Sequence, residues 1–370
     1  MRVAFDGRAI GDHYPGLGRY AFGIVKALAA FADVVLFTHP DETNTRYELS
    51  RIAAPLLPLK IGPGSLNQYR FISPAVAAAG AHIYHAPYYR LYPSPAIAPL
   101  PCPGVATFYD LIPLSAEGFS IADRWMIRFL HQMVGRNAAR IIVLSRAARD
   151  SFVSKLKLDP AKFVVIPPGV DSSFGPRSPA NVTELRRRLG LPEDYFLFVG
   201  TNKPHKNLPR LIEAIAQLPT DSPPLVIAGN EDRRFPQARR AVERLGLKNR
   251  VHFLGPVAEA DLPALYSGAT LFVFPSLEEG FGLPVIEAMA CGTRVACSTA
   301  PGLDEAAGEA AVRFDPQAPD QMAETMLQLL QNRDWRLEIG RRGLAHAAEF
   351  TWERAARETV KVYEAALGTH

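Results

Sequence analysis

Short runs of β-branched and aromatic residues alternate along this chain with longer stretches whose apolar positions recur at helical spacing. In the first half, RVAFD (2–6), VVLF (34–37), HIYH (82–85), GVATFYD (104–110), RIIVLS (140–145) and FVVIP (163–167) predict strands. In the second half, YFLFVG (195–200), PLVIAG (224–229), VHFLG (251–255), LFVFPS (271–276) and RVACS (294–298) do the same. Stretches such as GRYAFGIVKALAAF (18–31) and LPRLIEAIAQL (208–218) read as amphipathic helices between them. Strands alternating with such helices predict parallel α/β layers.

The pattern also divides. PPGVDSSFGPRSPANV (167–182) is rich in Pro, Gly and Ser and reads as an exposed hinge. A chain of 370 residues is longer than one hydrophobic core usually supports. The expectation is two doubly wound, parallel-sheet α/β domains, residues 1–170 and 171–350. Residues 351–370 carry TWERAARETVKVYEAAL, an amphipathic helix expected to pack back across the hinge on the first domain. Open sheets of this kind bind ligands at the C-terminal ends of their strands, so two of them facing each other are expected to define a cleft.

Composition removes several function classes. The chain is 48% hydrophobic and 21% charged, as ordinary globular proteins are. MRVAFDGRAI opens on a strand and a glycine turn rather than a signal peptide, and no run approaches the ~20 apolar residues of a membrane span. Three cysteines, Cys102, Cys291 and Cys297, lack metal-ligand spacing and suit buried thiols in a reducing cytoplasm. Nine histidines form no His-Glu-x-x-His pattern, and no Asp-x-Asp occurs, so no metal is expected. Charge is uneven: residues 1–170 hold 18 Lys+Arg against 11 Asp+Glu, net +7, and the remainder is net −3. A basic first half suits nucleic acid, an anionic membrane or a phosphorylated substrate. No recognition motif accompanies it, so nucleic acid is not expected as a partner.

Three stretches carry candidate chemistry. DHYPGLGRY (12–20) follows the first strand, and Gly16, Leu17 and Gly18 precede a helix whose start offers free N–H groups to an anion; a plain strand-to-helix turn explains the same residues. FVGTNKPHKNLPRL (198–211) places Lys203, His205 and Lys206 after Thr201 in the turn before a helix, where cations suit a diphosphate; a solvated basic loop is the alternative. SLEEGFGLPVIEAMACG (276–292) sets Glu279 before a helix and Glu287 within it, with Gly280, Phe281, Gly282 and Leu283 at its entrance. Amides for phosphate beside carboxylates make sense when the carboxylates grip something neutral and hydroxylated, such as ribose or a hexose.

EEGFGLPVIEAMACG resembles the Glu-x7-Glu signature of retaining glycosyltransferases of family 4, which have the GT-B fold of two Rossmann-like domains. PGLGRY, IPPGVDSSF, FVGTNKPHKNLPRLIEA and VHFLGPVAEADLPALYSGATLFVFPS agree in order and spacing, so the likeness covers nearly the whole chain. The resemblance implies that Glu287 binds ribose hydroxyls, Glu279 lies near the donor sugar, and Lys206 contacts the diphosphate and stabilises the leaving group. It places Gly16 in a loop near donor phosphate and sugar, and the amides of Phe281, Gly282 and Leu283 in a phosphate cradle. Two positions depart from the family. Thr201 stands where an arginine is common, with Lys203 or His205 to restore the cation, and Tyr109-Asp110 stands where members carry His-Asp. Asp110 reads better as a turn cap than as a base.

The implied reaction is metal-independent, retaining transfer of a hexose from a nucleotide sugar, with no cofactor. VGTNKPHKNL and DLIPL resemble members that use GDP-mannose to build bacterial surface polysaccharides, with a glycan or lipid-linked acceptor. UDP-sugars, other GDP-hexoses, a nucleotide-sugar epimerase and a non-catalytic nucleotide-sugar binder remain as alternatives. For the acceptor, His85, Tyr88 and Tyr89 in YHAPYYRLYP are candidates, against a loop anchored by aromatic packing. Residues 120–152 concentrate Arg124, Arg128, Arg136, Arg140, Arg146 and Arg149 among Trp125, Met126, Phe129 and Met133. That reads either as peripheral contact with the inner face of an anionic membrane or as a helix with its apolar stripe on the sheet and its arginines wet.

Overall fold

A computed structural model of the chain describes residues 1–12, 15–62, 65, 68–93 and 99–368. They form two compact units, one of residues 1–114, 119–169 and 351–370, the other of residues 115–118 and 170–350. Each unit is built on a sheet whose strand pairs are all parallel.

Among the described residues the first unit has seven strands: β1 (Arg2–Asp6), β2 (Asp33–Thr38), β3 (Leu56–Pro58), β4 (Ile83–Ala86), β5 (Gly104–Phe108), β6 (Arg140–Val143) and β7 (Phe163–Val165). They stand in the order β3-β2-β1-β4-β5-β6-β7. The second unit has β8 (Phe196–Val199), β9 (Leu225–Ala228), β10 (Val251–Gly255), β11 (Leu271–Phe274), β12 (Val295–Ser298) and β13 (Val312–Phe314), in the order β10-β9-β8-β11-β12-β13. Helices cover both faces of such sheets, so the central strands β1, β4, β5, β9, β11 and β12 are buried at nearly every position. Two strands escape the sequence pattern. β3 is only Leu56-Leu57-Pro58, all three exposed, and β13 is three residues with Arg313 in the middle, so neither shows the longer buried run of a central strand.

The last helix, Trp352–Leu367, belongs to the first unit. Its Trp352 ring meets Tyr20 edge-on at 5.8 Å and packs where Gly23 of the helix Pro15–Leu28 leaves room for it. Arg357 lies 4.5 Å over the Phe31 ring. Tyr363 bonds Nδ1 of His85 at 2.6 Å, and the other ring nitrogen of His85 bonds Thr107 at 2.9 Å. All three cysteines are free thiols, with Cys291 and Cys297 buried.

A buried ion pair sits at the end of β1. Arg8 and Asp6 are both fully buried; the guanidinium donates Nε to one carboxylate oxygen at 2.8 Å and Nη2 to the other at 2.7 Å. Tyr84 on β4 donates to Asp6 at 2.7 Å, and Arg8 reaches the Ile61 carbonyl at 2.8 Å. Removing one partner of such a pair strands the other charge in a dry interior. Arg8→Ala is therefore expected to cost about 3–5 kcal/mol in chemical denaturation; a loss under about 1 kcal/mol would mean that Asp6 finds another partner or water.

Two buried histidines make stability pH-dependent. Burial lowers His85 to about 3 and His131 to about 4 from an ordinary 6.5. Both rings stay neutral in the folded chain, while the unfolded chain takes up protons near pH 6.5. Their contribution is thus fully present above that pH and is lost as pH falls toward 4. The unfolding midpoint in urea is expected to drop between pH 7 and 5, at most about 1.4 kcal/mol per pH unit for each ring, and His131→Phe should flatten that slope. An unaltered slope in the variant would remove His131 from the account.

Candidate functional site

Both sheets reverse strand order once, β1 beside β4 and β8 beside β11, and at such a point the two following loops diverge and leave a crevice. Those loops hold most of the candidate residues.

In the second unit the loop after β8 carries Thr201, Lys203, His205 and Lys206, and the loop after β11 carries Glu279. Lys206 Nζ and Glu279 Oε1 are 2.7 Å apart, their side chains only 15% and 10% exposed, and the ammonium lies 5.0 Å over the Phe274 ring. Lys203 is exposed and Thr201 half-buried. Burial, then the Lys206 charge, lowers His205 to about 4, so at neutral pH it is not a second cation. His205 therefore does not supply the charge of the arginine that Thr201 replaces.

The helix Leu283–Ala290 begins at Gly282, whose φ of 98° is left-handed, and Pro284 occupies its first turn. Among the described residues no acceptor takes the backbone N–H of Phe281, Gly282 or Leu283, so these amides are available at the positive end of the helix. Phe281 itself is 3% exposed, packed edge-on against Phe350 at 5.7 Å, so its side chain anchors the loop and only its backbone can serve a ligand. Gly280 is buried beside it. Glu287, in the body of the helix, is 2% exposed and accepts a hydrogen bond from Tyr266 at 3.2 Å. Burial, then the Glu287 charge, pushes the Cys291 thiol up to about 12, which leaves it inert.

Three residues that the sequence did not single out hold this edge together. Asn202 donates to the carbonyls of Asp232 and Phe235 at 3.0 and 2.7 Å, tying the loop after β8 to the loop after β9. Asn207, 3% exposed with a left-handed φ of 58°, donates to the carbonyls of Pro275 and Pro316 at 3.0 and 2.7 Å. Together they place Lys206 opposite Glu279. Gly302, φ 90°, lies against the Glu279 carbonyl, and Glu279 N–H donates to Pro301 at 3.1 Å. An Asn next to a lysine and a Pro-Gly after a strand are common loop residues, so only the fold distinguishes them.

In the first unit Gly16 and Gly18 lie inside the helix Pro15–Leu28 rather than before it, and His13 and Tyr14 of the same stretch lie outside the described residues. The two glycines differ. Gly16 is exposed with open space around it, and Leu17 beside it is half-buried; Gly18 is buried against Tyr47 and the Gly11 backbone, a packing glycine. The Gly16 and Leu17 amides fall in the first helical turn, where N–H groups lack helical partners. Tyr109 meets Tyr20 edge-on at 5.5 Å, and among the described residues its buried hydroxyl has no hydrogen-bond partner. Burial raises its pKa well above the ordinary value, so it can donate but not act as a base. Asp110 accepts from the Ile112 N–H at 3.0 Å and caps the short helix Ile112–Ser115.

One candidate is overturned. His85 is fully buried, with both ring nitrogens bonded to Thr107 and Tyr363, and cannot line an acceptor site. Its position at a strand end suggested exposure, but the last helix closes over it. Tyr88 and Tyr89 remain half-buried on the loop after β4, their rings 4.7 Å apart, with Tyr89 lying 3.8 Å from His131. That aromatic packing anchors the loop.

Comparison with known proteins agrees with this architecture. Residues 14–174 match the family model for glycosyltransferase family 4, and residues 181–346 match that for glycosyl transferases group 1. The chain is 30% identical to O-antigen chain mannosyltransferase B of Escherichia coli, over 98% of this chain and 100% of that one. It is 33% identical to D-inositol 3-phosphate glycosyltransferase of Salinispora tropica, over 65% of this chain and 53% of that one. Among solved structures, Anabaena HepE in complex with UDP and glucose superposes with a TM-score of 0.78 at 23% identity, over 98% and 99% of the two chains, a likeness of fold. The chain belongs to the family 4 glycosyltransferases, and its two units are the Rossmann-like domains of the GT-B fold.

Because a Cβ at Gly302 would collide with the Glu279 carbonyl at a left-handed φ, Gly302→Ala is expected to destabilise the second unit by more than about 2 kcal/mol. Thermal unfolding measures the loss. A variant as stable as the parent would show that this loop does not fix Glu279.

Proposed function

We propose that this family 4 glycosyltransferase moves a mannosyl residue from GDP-mannose, with retention of anomeric configuration and without a metal, to a hydroxyl of a glycan or lipid-linked acceptor in surface polysaccharide synthesis. The observation that carries the reading is the Lys206–Glu279 pair at the β8–β11 reversal, beside the open amides of Phe281, Gly282 and Leu283. A departing nucleoside diphosphate accumulates negative charge, and a fixed ammonium with helix-entry amides is the apparatus that stabilises it. Lys203 is available to the same charge from the exposed side of the loop.

The remaining roles follow. Glu279 accepts from donor-sugar hydroxyls and Glu287 from the ribose, since a carboxylate grips a neutral diol and repels a phosphate. Gly16 and Leu17 offer first-turn amides, and the Tyr109 hydroxyl, without a hydrogen-bond partner among the described residues, donates to a sugar oxygen. Tyr88 and Tyr89 are left to the acceptor. The full-length likeness to an O-antigen chain mannosyltransferase supports mannose and a polysaccharide acceptor. Absence of Asp-x-Asp from the sequence supports metal independence.

The test is turnover with GDP-mannose, other GDP-hexoses and UDP-sugars, each with and without a lipid-linked mannosyl acceptor, and with and without chelator. The expected result is acceptor-dependent release of GDP from GDP-mannose, insensitive to chelator, with an α-linked product by NMR. Lys206→Ala should lower kcat by about 10²–10³ with the fold intact, and Glu287→Gln should weaken GDP binding about tenfold. Turnover of UDP-sugars alone would replace the donor, turnover without acceptor would favour an epimerase, and an undiminished Lys206→Ala rate would remove that residue from the reaction.

A further inference from the structure

The helix Ile121–Asn137 of the first unit has two apolar faces. One is buried in the ordinary way: Ile127, His131 and Val134 face the core, where His131 packs on Tyr89, Phe108 and Phe152 at centroid distances of 3.8, 5.0 and 5.3 Å. The other points away from it. Ile121 is 78% exposed, Trp125 70%, Met126 54% and Phe129 60%. The spacing 121, 125, 129 is i, i+4, i+8, so these three side chains form one stripe about 12 Å long. A helix packed on a sheet needs one apolar stripe, and the second, with a tryptophan and a phenylalanine at its centre, has no role in the fold.

We propose that this face docks the protein on an anionic lipid bilayer. The occupant follows from the charges that share the stripe. Arg128 stands beside Phe129, and Arg136 continues the row two turns on; both are exposed, and among the described residues neither guanidinium has an acidic partner. The helix carries one acid, Asp123, and that carboxylate is engaged locally, accepting from the Ser120 N–H and hydroxyl at 3.0 and 2.7 Å in a capping box. Unpaired arginines beside large apolar side chains complement a surface of lipid phosphates over acyl chains: the guanidiniums meet phosphate while Ile121, Trp125 and Phe129 enter the boundary. An apolar protein partner would not call for the arginines, and a nucleic acid would not call for Ile121 and Met126. Among the described residues no helix is long and apolar enough to cross a membrane, so attachment of this kind is reversible. The basic excess of residues 1–170, net +7, strengthens it. The inference stands apart from the transferase reading, because vesicle binding requires neither donor nor acceptor.

The experiment is co-sedimentation of the full chain with phosphatidylcholine vesicles, with and without phosphatidylglycerol. Binding is expected with the anionic lipid and to weaken as salt rises, with a blue shift in tryptophan emission that Trp125→Phe abolishes. The double variant Trp125→Ser, Phe129→Ser should bind about tenfold more weakly or worse at unchanged thermal midpoint. Arg128→Gln with Arg136→Gln should remove most of the salt-sensitive part. Equal binding to neutral and anionic vesicles, no binding at low salt, or undiminished binding of the Trp125/Phe129 variant would overturn the proposal. So would a dimer in light scattering that the same variant dissolves, which would give the face to a second copy of the chain.

Discussion

The constraint on which the rest of this molecule depends is that every strand pair is parallel. A parallel sheet sends all its strand-to-helix loops to one edge, and a chain that winds first one way from its central strand and then the other must leave two central neighbours whose loops part. In the second unit those neighbours are β8 and β11, and Lys206 and Glu279 lie on the loops that follow them, meeting at 2.7 Å across 73 residues of sequence. In the first unit they are β1 and β4, which bring Asp6, paired with Arg8, beside Tyr84. The positions of the chemistry are thus consequences of topology before they are consequences of any local motif.

Each unit stiffens its reversal with buried polar groups, by different means. The first uses a desolvated ion pair, Asp6 with Arg8, whose burial is tolerable because Tyr84 and the Ile61 carbonyl occupy further hydrogen-bonding positions. The second uses the uncharged amides of Asn202 and Asn207, which bridge carbonyls of neighbouring loops. The difference suits the charge each site already holds. Another buried ion pair next to Lys206 and Glu279 would compete for the same partners, whereas an amide fixes the loop without altering the field there.

How much of this was legible from the sequence depends on which forces each residue answers to. The central strands were legible because burial on both faces demands unbroken apolar runs, and β3 and β13 were not because short outer strands escape that demand. The stretch from Glu279 to Glu287 was legible as a candidate site because carboxylates, glycines and a helix start crowd into nine residues. Asn207, Gly302 and Arg8 were illegible, since their roles are contacts with segments distant in sequence. The same distance misled the reading of His85, which meets Tyr363 from 278 residues away. Trp125 and Phe129 show a further limit. Composition identified an apolar, basic helix, but only the fold decides which apolar residues face the core, and here Ile127, His131 and Val134 take that place.

On the proposed function, the Lys206–Glu279 pair also bears on why a carboxylate would sit beside a cation that meets phosphate. An ammonium exposed by only 15% is costly to leave without a counter-ion, and in this structure Glu279 is that counter-ion. On the proposed reading a diphosphate arriving at the Gly282 helix entrance competes for Lys206 and frees an oxygen of Glu279. The carboxylate, itself only 10% exposed, then needs a new donor, and a sugar hydroxyl supplies one without adding charge. One exchange would thus satisfy both ends of the donor, phosphate by the cation and sugar by the acid it releases. An isolated phosphate would gain the first half and leave the carboxylate unpaired, so the arrangement favours a donor that carries diphosphate and sugar together over either fragment alone.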